Sequence, residues 1–220
     1  MNKIATILIG MAVVICAYEV ELEGLGTVDI PDGVCDTGFV ERFVDEFNDY
    51  EFNDIYQTVQ SRIGSASYSM DGDPVVAMHN FYSATSFNPR VFIRGGNIRA
   101  LGWYSPQNNY IVINAQYLYR HSREKLLYII IHESTHDIQF EEGRMDEGTD
   151  INRVINEIFA DATAIRSVIS LTGCDPINAV ALRQPTRVLS QYIDVRSRAT
   201  ATIIIDHIIM EQSYNIAIGN

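Results

Sequence analysis

The run Ser122-Arg123-Glu124-Lys125-Leu126-Leu127-Tyr128-Ile129-Ile130-Ile131-His132-Glu133-Ser134-Thr135-His136 is followed by Asn156-Glu157-Ile158-Phe159-Ala160-Asp161, whose Glu157 stands twenty-one residues after the last histidine. Both stretches read as helix. Ser122 suits an N-cap and Glu124 the first turn, so the first helix is predicted from about Arg123 to Phe140. Residues i and i+4 lie one above the other on a helix face, which lets His132 and His136 aim imidazole nitrogens at one ion. Glu133 then stands beside them, where it can take a proton from water. The spacing is the H-E-x-x-H pattern of zinc sites.

The second helix is predicted over about 150–172, with Gly173 at its C-terminal end. Ile151, Ile155, Ile158, Ala162, Ile165 and Ile169 form its core stripe. Glu157 and Asp161 lie next to that stripe, on one shared with Val154, Ala164 and Val168. Two carboxylates so close to a core are costly unless compensated. An ion on Glu157 and an imidazole N–H on Asp161 would compensate them, because zinc-bound histidines usually donate their other nitrogen to a carboxylate.

These residues resemble the gluzincin metallopeptidases, the thermolysin-like group in which an H-E-x-x-H helix precedes a helix bearing Glu-x-x-x-Asp. The match spans roughly residues 100–172. The resemblance implies a zincin-like fold in which His132, His136 and Glu157 ligate Zn²⁺, Glu133 is the general base, and Asp161 orients a ligand histidine. It further implies that the strand Tyr110–Asn114 is the edge on which an extended peptide lies, with Asn114 and Ala115 as substrate-binding residues. Only 84 residues follow His136, so the chain resembles a minimal form without a large C-terminal lobe. The oxyanion-stabilising His or Tyr of such enzymes would come from His207, Tyr192 or Tyr214, of which His207 is taken as the catalytic candidate. The metzincin pattern fits worse, because Gln139 stands where it needs Gly and Glu142 where it needs the third His.

The 220 residues carry 28 acidic and 16 basic side chains, a net charge of −12. Such a surface repels phosphate backbones and anionic lipid heads, which argues against nucleic acid as a partner. Met1-Asn2-Lys3 and the apolar run Ile4 to Ala17 read as a signal peptide over residues 1–17, implying export and no membrane contact after cleavage. Cys35 and Cys174 would remain, and in an oxidising compartment they are expected to pair. The acidic stretch Asp137, Glu141, Glu142, Asp146, Glu147 and Asp150 lacks EF-hand spacing and reads as a solvated loop. His79 and His121 are isolated and read as structural or surface residues. Phe81, Tyr82, Phe87, Trp103 and Tyr104 read as core.

No repeat or linker divides residues 18–220, which are expected to form one domain. Asp36 to Ile63 shows helical periodicity broken near Tyr50. A sheet region is predicted over about 73–114, largely antiparallel, with strands at Pro74–Asn80, Arg90–Arg94, Ile98–Tyr104 and Tyr110–Asn114, the last two joined by the turn at 105–109. C-terminal helices are predicted over 176–214, divided around Gln184-Pro185. The class is α+β, a small sheet packed on the histidine helix. The expected function is an exported zinc peptidase acting on peptides or proteins. The alternative is a non-catalytic exported module that keeps zinc for structure or binds a partner.

Overall fold

The computed structural model describes residues 17–22, 26–31, 44–64, 66, 70–95, 100–145, 150–183, 210 and 212–219. Strands β1 (Ala17–Leu22) and β2 (Gly26–Pro31) pair antiparallel as a hairpin of their own. A helical turn at 44–48 and helix α1 (Phe52–Ile63) follow, parted at residues 49–51, where the periodicity breaks. Ile55, Tyr56, Val59 and Ile63 recur at helical spacing along α1 and form its buried face.

Helix α2 (Pro74–Ser83) replaces the strand expected at Pro74–Asn80. The Asp73 carboxylate accepts from the backbone N–H groups of Val75 and Val76, and Pro74 occupies the first helical position. That Asp-Pro start outweighs the β-propensity of Val75 and Val76, because it satisfies donors that a new helix leaves open.

The main sheet holds β3 (Arg90–Arg94), β4 (Gly102–Ser105) and β5 (Tyr110–Asn114) in the order β3-β5-β4. Strands β4 and β5 form the expected hairpin, turning through 106–109 with Asn109 at positive φ. β3 instead pairs parallel with β5, so the sheet is mixed rather than largely antiparallel. β5 is therefore the central strand and not an edge. Its Ile111, Val112 and Ile113 are all buried, and the most apolar strand takes the position covered on both sides.

Asn114 ends β5 and starts the single turn α3 (Ala115–Leu118), its side-chain oxygen accepting from the Gln116 N–H at 3.0 Å. Helix α4 (Arg123–Glu141) opens on Ser122, whose hydroxyl accepts from the Lys125 N–H. Helix α5 (Asp150–Thr172) ends at Gly173, φ 69°, a left-handed position that favours glycine. Helix α6 (Pro176–Val180) starts on an Asp175 cap with Pro176 in its first turn. The last described segment, 212–218, is helical.

α4 is the centre of this arrangement. Leu126 to Ile131 are buried without interruption, and so are Glu133 to Gln139, which leaves almost no solvent face. α5 packs along one side of α4, α1 and α2 along others, and β4 on another. The residues expected as core, Phe81, Tyr82, Phe87 and Tyr104, are buried around it, with Trp103 half-buried. Among the described residues no helix is long and apolar enough to cross a membrane. The segment 1–16, Cys35, the Gln184-Pro185 division, Tyr192 and His207 lie outside the described residues.

Gly102 marks where β4 meets α4. A Cβ there would stand 3.0 Å from Ile129 Cγ2 and 3.1 Å from the Val112 carbonyl oxygen. The paired strand cannot yield that space cheaply, so Gly102→Ala should destabilise the fold by about 1–3 kcal/mol, read from the urea midpoint.

Candidate metal centre

Because α4 is flanked by α5, the two helices bring their polar faces together in the interior. His132 Nε2 and His136 Nε2 lie 3.2 Å apart. Glu157 on α5 reaches both, with one carboxylate oxygen 3.5 Å from His132 Nε2 and the other 3.7 Å from His136 Nε2. Ligand atoms about 2.0–2.2 Å from a tetrahedral ion are about 3.3–3.6 Å from one another, so the three donors already stand at ligand spacing. They form a group that can hold a metal ion. Among the described residues no fourth His, Cys, Asp or Glu joins them. Their side chains keep 14%, 9% and 22% of their surface exposed, which leaves the group reachable from solvent.

Asp161 lies behind the first histidine, its Oδ1 2.9 Å from His132 Nδ1. This is one helical turn beyond Glu157, as the sequence spacing requires. Two residues not singled out in the sequence complete its shell. Tyr128, one turn before His132 on α4, donates its hydroxyl to Asp161 Oδ1. Arg183, just past α6, donates from Nε to Asp161 Oδ2 at 2.6 Å, with only 5% of its side chain exposed. Tyr128 was findable, since i and i−4 share a face. Nothing local marks Arg183.

Gln139 backs the second histidine. Its Oε1 lies 2.7 Å from His136 Nδ1, and its Nε2 donates to the Tyr50 hydroxyl at 2.8 Å and the Asn156 carbonyl at 2.9 Å. Tyr50 is stacked on Phe159 of α5, with ring centroids 3.8 Å apart. Each imidazole thus has an oxygen behind its Nδ1, which turns Nε2 towards the shared space.

Glu133 is buried, 8% exposed, and burial raises its pKa against the attraction of both histidines. It accepts from the Tyr104 backbone N–H. The pairing of Leu101, Trp103 and Ser105 with β5 leaves Gly102 and Tyr104 facing away from that strand, so this contact lies on the outer edge of β4. The Tyr104 hydroxyl also donates to Asp137, 3.0 Å away, and Arg62 of α1 pairs with both Asp137 and Glu141. Asp137 is therefore a buried member of α4 and not part of a solvated loop.

Asn114 and Ala115 do not form a substrate edge. Asn114 is fully buried, its amide donating to the Ala100 carbonyl while its oxygen caps α3, and it belongs to the central strand. Tyr214 is half-buried on 212–218, whose Ser213 donates to the Ile158 carbonyl. Cys174 is half-buried beyond α5, and its thiol faces the Asp175 carbonyl. His79 is exposed on α2, and His121 is half-buried and stacked on Tyr117.

No protein-family model matches the chain, and no curated protein or solved structure matches it either. The likeness to gluzincins therefore rests on the residues of α4 and α5 themselves.

Without a metal, burial works against a charged His132, but Asp161 and Glu157 overcome it and hold the pKa well above the usual histidine value. Burial likewise pushes Glu157 and Asp161 up, but His132 and His136 pull Glu157 below its ordinary value, and His132, Arg183 and Tyr128 do the same to Asp161. The raised His132 stabilises the fold fully below about pH 6.5, and that share fades as pH rises through its folded value. The depressed acids contribute above about pH 4.5, and their share fades as pH falls. In metal-free protein, the stability gap between wild type and Asp161→Asn should therefore be widest between about pH 4.5 and 6.5, reaching about 3–5 kcal/mol by urea denaturation.

Proposed function

We propose that this chain is a zinc metallopeptidase of minimal gluzincin type, with a zincin-like arrangement of sheet and helices. The observation that carries the reading is the convergence of His132, His136 and Glu157 at ligand spacing beside the buried carboxyl of Glu133. Two neutral imidazoles and one carboxylate suit zinc, and structural zinc sites normally close with four protein ligands. A set of three favours catalysis over a purely structural ion.

A zinc ion bound there supplies a Lewis acid that polarises a scissile carbonyl and lowers the pKa of water towards ~7. Glu133 takes the proton from the attacking water and delivers it to the leaving amine. Its raised pKa strengthens it as a base, and the Tyr104 N–H fixes where its carboxylate sits. An extended peptide pairing with the outer edge of β4 at Gly102, next to the Tyr104 N–H that Glu133 occupies, would bring a scissile carbonyl alongside Glu133. Export, suggested by residues 1–17, would place the enzyme outside the cytoplasm.

Elemental analysis of the purified chain should find about one zinc per molecule, falling towards zero in Glu157→Ala. Glu133→Gln should keep its zinc and cleave a denatured protein about 10²–10⁴-fold more slowly, the range of a lost general base. Wild-type cleavage should stop with a chelator and return with zinc. A chain that holds no zinc after reloading, or full activity in Glu133→Gln, would overturn the assignment.

A further inference from the structure

Gln139 has no part in the motif, yet its amide can be oriented by an unambiguous chain of hydrogen bonds. The Asn156 carbonyl can only accept, so the amide atom 2.9 Å from it must be the nitrogen. The other amide atom is then an oxygen, and it lies 2.7 Å from His136 Nδ1. An oxygen there requires a hydrogen on Nδ1, which leaves the lone pair of the neutral ring on Nε2, the atom facing His132 and Glu157. Tyr50 receives the second amide hydrogen, and its ring is fixed between Phe159 and the Arg144 guanidinium, 4.5 Å from the ring centroid. Gln139 is fully buried, so water does not compete for these bonds.

We propose that Gln139 is the positioning residue for His136. It holds the imidazole with Nδ1–H outward and Nε2 inward, and it ties that ring across the helix pair to the residue preceding Glu157. Two ligands are thereby set relative to each other by one side chain. The inference rests on the metal-site reading for its consequence but not for its geometry, since every contact it uses exists without an ion.

The test uses the full chain with Gln139→Leu, Gln139→Met and Gln139→Glu, each checked for folding by circular dichroism and thermal melting. Zinc affinity is measured by competition with a chromophoric chelator, and the His136 tautomer from imidazole ¹⁵N shifts in metal-free protein near pH 8.5. Wild type should carry its proton on Nδ1. Leu and Met fill the space without a strong acceptor, and either should release the tautomer and weaken zinc binding by about 10–100-fold. Glu keeps an acceptor for Nδ1–H and should stay near wild type, although it repels the Asn156 carbonyl. A packing role predicts the opposite order, with Glu worst, and that order would overturn the proposal. A wild-type His136 protonated on Nε2 would overturn it as well. If the wild type binds no zinc, the peptidase reading fails, and the tautomer in wild type and variants still decides the role of Gln139.

Discussion

Four ionisable side chains, two from each of a pair of packed helices, stand within contact of one another inside the protein, and each needs the others there. His132 and His136 are one turn apart on α4, and Glu157 and Asp161 are one turn apart on α5. Equal spacing on facing helices lets His132 sit between both acids, while His136 shares Glu157. A slip of α5 by one residue would swing both carboxylates by about 100° and leave charges unpaired in a low-dielectric interior. The register of α4 against α5 is thus held by electrostatics as well as by packing.

Other elements fix the rotation of α4 from outside that pair. Arg62 of α1 grips Asp137, and Asp137 holds the Tyr104 hydroxyl, so helix, helix and strand meet immediately after the second histidine. The same Tyr104 presents its backbone to Glu133. On the α5 side, Gln139 and Tyr50 do the equivalent for His136. A helix with so little solvent face leaves most of its polar groups to find partners within the protein.

The helical half of this picture was legible because its signals are local. Ser122, the run of apolar residues after it, the i, i+4 histidines and the Glu157/Asp161 pair each announce themselves within one or two turns. The sheet was less legible, since strand order is a property of distant pairing. The apolar run Ile111–Ile113 hinted at a central strand, but its partner β3 joins it parallel from twenty residues away, which no local signal shows. Asp73-Pro74 carried a helix signal that the valines after it masked. Of the outer partners, Tyr128 and Gln139 sit on the same helix as the histidines and lay within reach of a spacing argument. Tyr50, Arg62 and Arg183 come from other elements, and no residue pattern links them to the site before the chain is folded.

The balance of charge around the cluster gives the site its direction. Glu133, Glu157 and Asp161 are three carboxylates, and Arg183 is the guanidinium paired within them. Lys125, held 5.3 Å from the Tyr128 ring centroid, adds a second cation, but burial and the nearby Arg183 lower its pKa to about 8 despite Asp161. With both histidines neutral the group therefore keeps surplus negative charge, which a buried site tolerates poorly. Burial raises the Glu133 carboxyl, and Asp161 and Glu157 raise His132 against its own burial while His132 holds both acids down. A divalent cation held by His132, His136 and Glu157, as proposed, would offset that surplus charge.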